Sequence, residues 1–253
     1  MDNDPTASQA MISDKLRSTY EINVSQSTIS RVIKKMNYTI KAITYVPEER
    51  NSATTINQRI EYARFMTNIP DGNLVFLDES GFNLHLTRKR GYSEKNSTCK
   101  VSLPANRGTN NSLMLAIKNT GVITHEIQKG AYNGDLFIDF IRRKLVPHFN
   151  ENLHDILIID NCRFHKRYDV LRLLNSSAIR YQFLPPYSPL LNPIEEYFSF
   201  VKSHYKSMRP LSRNSNDVAE KISHIVGYED ATFDGWFRHM RRWLDRAMTR
   251  QEF

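Results

Sequence analysis

Cysteine is almost missing from this 253-residue chain. Cys99 and Cys162 lie far apart and in no CxxC spacing, which excludes a disulfide framework and a zinc ribbon and leaves two ordinary reduced thiols. No run approaches the roughly 18 uninterrupted apolar residues that a membrane-spanning helix needs. The polar start MDNDPTASQ lacks the basic, apolar and small-residue succession of a secretory signal. No internal repeat or low-complexity tract is visible, and the histidines are scattered without metal-ligand spacing. These absences predict a soluble intracellular protein with no membrane partner. What is present is 40% hydrophobic and 11% aromatic residues, enough for one good core and a small second one. Lys and Arg outnumber Asp and Glu by 35 to 27, for a formal charge of +8. Such an excess favours polyanionic partners through counterion release.

Near the N-terminus, SQSTISRVIKKMNY places Ile29, Val32, Ile33 and Met36 at i, i+3, i+4 and i+7, the stripe of an amphipathic helix with Ser25 as N-cap. The other face carries Ser27, Thr28, Arg31, Lys34 and Lys35. Lys41 follows, and no acid occurs between Ser25 and Val46. An earlier helix with Ile12 and Leu16 on one side precedes it across a break at 21–24. Helix, short turn and basic helix is the helix-turn-helix arrangement, whose second helix meets DNA. A generic helical hairpin with a solvated basic face is the alternative. This reading makes residues 1–46 a DNA-binding domain, with Ser27, Thr28, Arg31, Lys34, Lys35 and Lys41 as contacts. The polar TYVPEERNSATT, broken by Pro47, opens an expected linker over 47–70 that contains a helix-like NQRIEYARFM.

From Asn73 the pattern changes to short apolar runs. NLVFLDES and DILIIDN each end in an acid, SLMLAIKNTGVITHEIQ reads as a hairpin turning at 119–121, and DLFIDFIRRKLVPHF and YDVLRLLNSS read as helices. The expectation for 71–253 is therefore an α/β or α+β domain around one sheet. Asp78 and Asp160 fall at the C-terminal ends of the expected central strands, the edge where such sheets place ligands. Adjacent strands would bring the two carboxylates together, and the usual remedy for that repulsion is a divalent cation. A plain Asx turn at Asp160-Asn161 is the competing role.

The third acid comes from LPPYSPLLNPIEEYFSF. Asn192 reads as an N-cap and Pro193 as the first helical residue, which puts Glu195 at N3. Ile194, Tyr197, Phe198, Val201 and Tyr205 share one face. At about 100° per residue, Glu195 lies on the border of that face and Glu196 points to solvent. The prolines stiffen the approach to the helix.

FLDESGFNLHL, IIDNCRFH and LPPYSPLLNPIEE together resemble the catalytic core of the Tc1/mariner and IS630 superfamily of DNA transposases. GAYN at 130–133 adds to the likeness, as do the 34 residues (161–194) between Asp160 and Glu195. The resemblance implies an RNase H-like catalytic domain, with a mixed central sheet and flanking helices, behind a helix-turn-helix domain. It implies that Asp78, Asp160 and Glu195 hold two divalent ions, Mg²⁺ or Mn²⁺, for phosphodiester cleavage at transposon ends and strand transfer into target DNA at TA dinucleotides. The implied partners are the terminal inverted repeats, target DNA and a second copy of the chain. The implied location is the nucleus in a eukaryote, or the cytoplasm and nucleoid in a bacterium. Family members carry two helix-turn-helix units, whereas about one fits before Pro47, so a shortened or domesticated DNA-binding descendant is the alternative. A cellular RNase H-like nuclease or resolvase would share the acids but not the NPIE segment. His165 matches the family's histidine and is read as a local hydrogen-bonding residue. Arg88, Lys89 and Arg90 are read either as a DNA-backbone contact, as a nuclear signal or as a solvated loop.

Overall fold

A computed structural model of the chain describes residues 4–228 and 231–253, which divide into one unit ending at Pro47 and a second, Glu48–Phe253. The first unit holds α1 (Gln9–Tyr20) and α2 (Gln26–Lys35). Ser8 and Ser25 cap them by accepting hydrogen bonds from the backbone N–H groups of Met11 and Thr28. α1 ends at Glu21 in the left-handed region, and Ser13 Oγ donates to the Val24 carbonyl at 3.0 Å, tying α1 to the connection. Of the expected apolar stripe on α2, Ile29 is buried, while Val32 and Met36 stay 48% and 59% exposed.

The second unit begins with α3 (Ala53–Thr67), capped by Ser52. Here the expected 47–70 linker is corrected. Tyr62, Ala63 and Met66 of α3 are buried in the same core as Phe237, Met240 and Leu244. Buried positions 55, 59, 62, 63 and 66 form a helical stripe that opens with a threonine and an arginine, which disguised it.

The chain then forms β1 (Leu74–Phe82), β2 (Asn111–Lys118) and β3 (Gly121–Lys129). α4 (Gly134–Phe140) runs through a π-helical turn at Ile141–Leu145 into α5 (Val146–Glu151). β4 (Ile156–Ile159), α6 (Tyr168–Ser176), β5 (Arg180–Phe183), α7 (Ile194–Ser207), α8 (Ser215–Val226) and α9 (Phe233–Met248) complete the unit. The five strands make one sheet in the order β3-β2-β1-β4-β5. β1 pairs antiparallel with β2 and parallel with β4, β2 antiparallel with β3, and β4 parallel with β5. Helices cover both faces, so the paired segments Leu74–Leu77 and Ile156–Ile159 are apolar throughout and their alternation sorts residues between two cores. Leu74, Phe76, Ile156 and Ile158 pack with α3, α7, α8 and α9. Val75, Leu77, Leu157 and Ile159 pack with α4, α5 and α6.

Arg59 is 1% exposed, and no carboxylate pairs with it among the described residues. Its guanidinium donates instead to Ser188 Oγ at 2.9 Å, Asn51 Oδ1 at 3.2 Å and the carbonyls of Arg50 and Tyr187, and it lies 4.5 Å from the Phe253 ring centroid. It thereby pins the proline-rich approach to α7, where Tyr187 adopts a left-handed φ of 52°, uncommon for a non-glycine residue. Arg59→Ala is expected to lower stability by about 2–3 kcal/mol, because charged hydrogen bonds are removed and buried acceptors are left unpaired. Urea unfolding measures it, and an unchanged midpoint would contradict the role.

Candidate active site

β1 and β4 pair in the register Leu74↔Ile156 through Leu77↔Ile159, so the next residue of each strand is an aspartate. Asp78 and Asp160 have the parity of Phe76 and Ile158 and therefore lie toward the α7 side of the sheet. β4 ends at Ile159, whereas β1 continues beside β2 to Phe82. Asp78 was expected at a strand end. It sits inside β1, at the point where the parallel neighbour departs and a cleft opens.

That cleft, of about 410 Å³, is lined by Asp78, Glu79, Asp160, Asn192 and Glu195 and by the proline-rich segment 184–189. Asp78 is 8% exposed. Its Oδ1 accepts from the Glu79 N–H at 2.7 Å and its Oδ2 from Asn192 Nδ2 at 2.9 Å. Burial first, then the charges of Asp160 and Glu195, hold its carboxyl well above the usual carboxylate range. Asp160 Oδ1 accepts from the Cys162 N–H at 3.2 Å, the anticipated Asx turn, and also from His165 Nδ1. Burial alone would push Asp160 up, but the hydrogen bond and charge of His165 bring it below its ordinary value. Glu195 keeps an exposed side chain, yet desolvation within the cleft raises its carboxyl, with Lys202 opposing and Asp160 adding.

Two expectations for the start of α7 are corrected. Asn192 is not an N-cap, and no side chain caps α7. Its amide is turned to Asp78, and its buried Oδ1 finds no hydrogen-bond partner among the described residues. Glu196 does not point to solvent. It is half-buried and accepts from His239 Nδ1 on α9. His239 Nε2 accepts from Trp243 Nε1 at 3.0 Å, so Nδ1 carries the proton. The helical-wheel estimate for Glu196 failed because α9 covers that side of α7.

His165, fully buried, joins two acids. Besides Asp160, its Nε2 lies 3.5 Å from Glu79 Oε2, and its ring packs against Phe137 and Phe164. Burial would lower its pKa, but the hydrogen bond to Asp160 and the negative charges of Asp160 and Glu79 raise it to about 9. The sequence showed this histidine without its second acid, because Glu79 comes from a distant strand.

In the first unit, Ser27, Arg31, Lys34, Lys35 and Lys41 are exposed and Thr28 is half-buried. Ser27 and Thr28 hydroxyls both lie within hydrogen-bond distance of the capping Ser25 hydroxyl, at 2.8 and 3.0 Å.

A three-layer domain with three carboxylates gathered where a parallel strand pair ends is the architecture of a polynucleotide-cleaving enzyme. The chain belongs to the DDE superfamily endonucleases, whose family model matches residues 73–216. No curated protein matches it at a significant level. Among solved structures, the Mos1 transposase paired-end complex with left transposon end is 18% identical with a TM-score of 0.77, covering 98% of this chain and 75% of that one. The Mos1 mariner paired end complex with Mn is 19% identical with a TM-score of 0.76 over the same shares. The catalytic domain of Mos1 mariner transposase is 15% identical with a TM-score of 0.60, covering 82% of this chain and 97% of that one. At these identities the likeness establishes the fold, and the expected RNase H-like fold with a mixed central sheet is borne out.

Because the His165 pKa is raised from 6.5 to about 9 on folding, its stabilising contribution is full below about pH 6.5 and disappears as pH rises through about 9. The wild-type urea midpoint should fall across that window, and His165→Gln should flatten the fall. An identical pH profile in the variant would contradict the assignment.

Proposed function

We propose that the chain is a cut-and-paste DNA transposase that cleaves phosphodiesters at transposon ends and transfers the strand to target DNA. The observation that carries this reading is the convergence of Asp78, Asp160 and Glu195 on one cleft in a DDE superfamily endonuclease. The donor set is all hard oxygen, which suits Mg²⁺ or Mn²⁺. Among the described residues, no three acidic, histidine or cysteine side chains are already gathered around an ion-sized point. The fit rests instead on the burial of Asp78 beside the charges of Asp160 and Glu195, which together raise its carboxyl, and on the unpartnered Asn192 Oδ1. In this reading Asp78, Asp160 and Glu195 hold two ions, which when bound stabilise charge on the entering and leaving oxygens of the displacement.

The chain's own groups prepare the site. Asn192 fixes the rotamer of Asp78 through its amide. His165 keeps Asp160 ionised and directs Oδ1 inward, leaving Oδ2 for the cleft. Arg59 holds the segment before α7 so that Glu195 enters from a rigid backbone. Glu196 does not serve as a ligand in this scheme, because His239 already occupies it.

The same reading makes 1–46 a helix-turn-helix module with α2 as the element that meets DNA, through Ser27, Thr28, Arg31, Lys34, Lys35 and Lys41. The three exposed cations of α2 support it. The terminal inverted repeats and target DNA are the proposed substrates, a homodimer the proposed assembly, and the nucleus the proposed location in a eukaryotic host or the cytoplasm and nucleoid in a bacterial one.

Asp78→Ala, Asp160→Ala and Glu195→Gln should each abolish Mg²⁺-dependent cleavage of a plasmid carrying the flanking repeats while leaving gel-shift retention nearly unchanged. Glu196→Gln, which still accepts from His239, should remain active. Activity absent in Glu196→Gln and kept in Glu195→Gln would overturn the ligand assignment, and wild-type binding without cleavage would leave a DNA-binding descendant. Replacing Lys34 and Lys35 with Ala should reduce the magnitude of the logarithmic salt slope of binding by about 0.9 for each phosphate no longer neutralised. An unchanged slope would return α2 to a solvated surface.

A further inference from the structure

Several arginines outside the cleft are neutralised by acids. Arg143 pairs with Glu126 and Asp139, Arg167 with Asp135 and Asp169, and Arg241 with Asp71. Many other cations are unpaired, but one group of them shares hollows of the surface. Lys206 on α7 borders a hollow with Arg88, Lys89 and Arg90, from the loop that leaves β1. A second hollow is lined by Arg88, Lys202 and Lys206 together with Ser199 and Ser203. Neither hollow is lined by an acid, and none of these five cations forms an ion pair among the described residues.

Their placement on α7 is specific. Positions 195, 202 and 206 are separated by seven and four residues, so at about 100° per residue they fall within about 20° of one line along the helix. The stripe starts at Glu195 and continues as Lys202 and Lys206, with the hydroxyls of Ser199 and Ser203 on its flank. At 1.5 Å rise per residue, Lys202 lies about 10 Å beyond Glu195 and Lys206 about 6 Å further. One strand of duplex DNA presents a phosphate every ~3.4 Å along its axis, so the two lysines span about two phosphate steps. Lys202 is partly desolvated and lies 5.7 Å from the Phe82 ring centroid, which limits its freedom. The charges of Glu195, Lys206 and Asp78 all act on it, and it lines a basic hollow with Arg88 and Lys206, so it stands between the acidic cleft and the basic hollows.

We propose that the α7 stripe Lys202–Lys206, with Arg88 from the loop after β1, is a phosphate track that grips duplex DNA next to the cleaved bond. The inference rests on the DNA-cleaving reading of the cleft and deepens it. It gives the enzymatic unit a sequence-independent DNA contact of its own and sets the direction in which the duplex leaves the carboxylates, along α7 toward its C-terminus. Phosphate contacts fix register without reading bases, which suits a surface of lysines and serines.

The test uses the full chain and a labelled duplex of mixed sequence, with affinity measured across a salt series. Arg88→Gln should reduce the magnitude of the logarithmic salt slope by about 0.9, and the double variant Lys202→Gln/Lys206→Gln by about 1.8. Lys202→Arg should keep the wild-type slope, and Asp78→Asn should lose cleavage without changing the slope. Arg88 is in an exposed loop, so its variant reports on binding even if the double variant loses stability in a thermal melt. Wild-type cleavage with unchanged slopes in both charge-removing variants would overturn the track alone. Loss of slope in a protein that does not cut DNA would sustain the track and overturn the enzymatic reading. Impaired nuclear accumulation with an unchanged slope would reassign the basic residues as a localisation signal and overturn the track.

Discussion

The parallel pairing of β1 with β4 is the constraint on which the candidate site depends. In-register pairing through Leu77↔Ile159 makes the next position an aspartate on both strands, and the period of two gives both the same face. A one-residue slip would send one carboxylate to the opposite core. The register is held by two apolar layers, since Leu74 and Phe76 must meet the α7–α9 side while Val75 and Leu77 meet the α4–α6 side. The hydrophobic core and the acidic cleft are thus two consequences of one alignment.

Crowding three carboxylates at that point carries an electrostatic cost, and the surrounding residues treat each acid differently. Asp78 is buried and raised, with an amide donor from Asn192. Asp160 is lowered by a histidine that bridges to Glu79. Glu195 stays open to solvent with Lys202 nearby. Such divergent environments are typical of sites whose groups act together on a ligand. The scaffold is correspondingly stiff: Arg59 clamps the approach to α7 from α3, and Glu196 anchors the first turn of α7 to His239.

Much of this was legible in the sequence. Apolar runs ending in Asp78 and Asp160, the hairpin at 119–121 and the amphipathic α7 with Glu195 on its border follow from period-two and period-3.6 patterns, which are local properties of the chain. The three long motifs marked the family. Local patterns also misled where one residue type serves two roles. Asn192 has the chemistry of a cap, but an amide that can cap a helix can equally donate to a carboxylate, and Asp78 is 114 residues away. Residues 47–70 looked like a linker because the buried stripe of α3 opens with Thr55 and Arg59, and the acceptors of Arg59 lie up to 129 positions along the chain.

By itself, then, the sequence determined the helix pair before Pro47, the main strands and helices between Asn73 and Tyr205, which acids belong to them and which family they mark, because backbone propensity and hydrophobic period are read over a few neighbouring residues. Only the tertiary structure decided the partner of each acid: Asn192 for Asp78, His165 with Glu79 for Asp160, and His239 for Glu196. It also decided that Lys202 and Lys206, in line with Glu195, meet Arg88 from another element. Hydrogen bonds and charges act over a few ångströms of space, and which groups come within that range is set by strand order and helix packing.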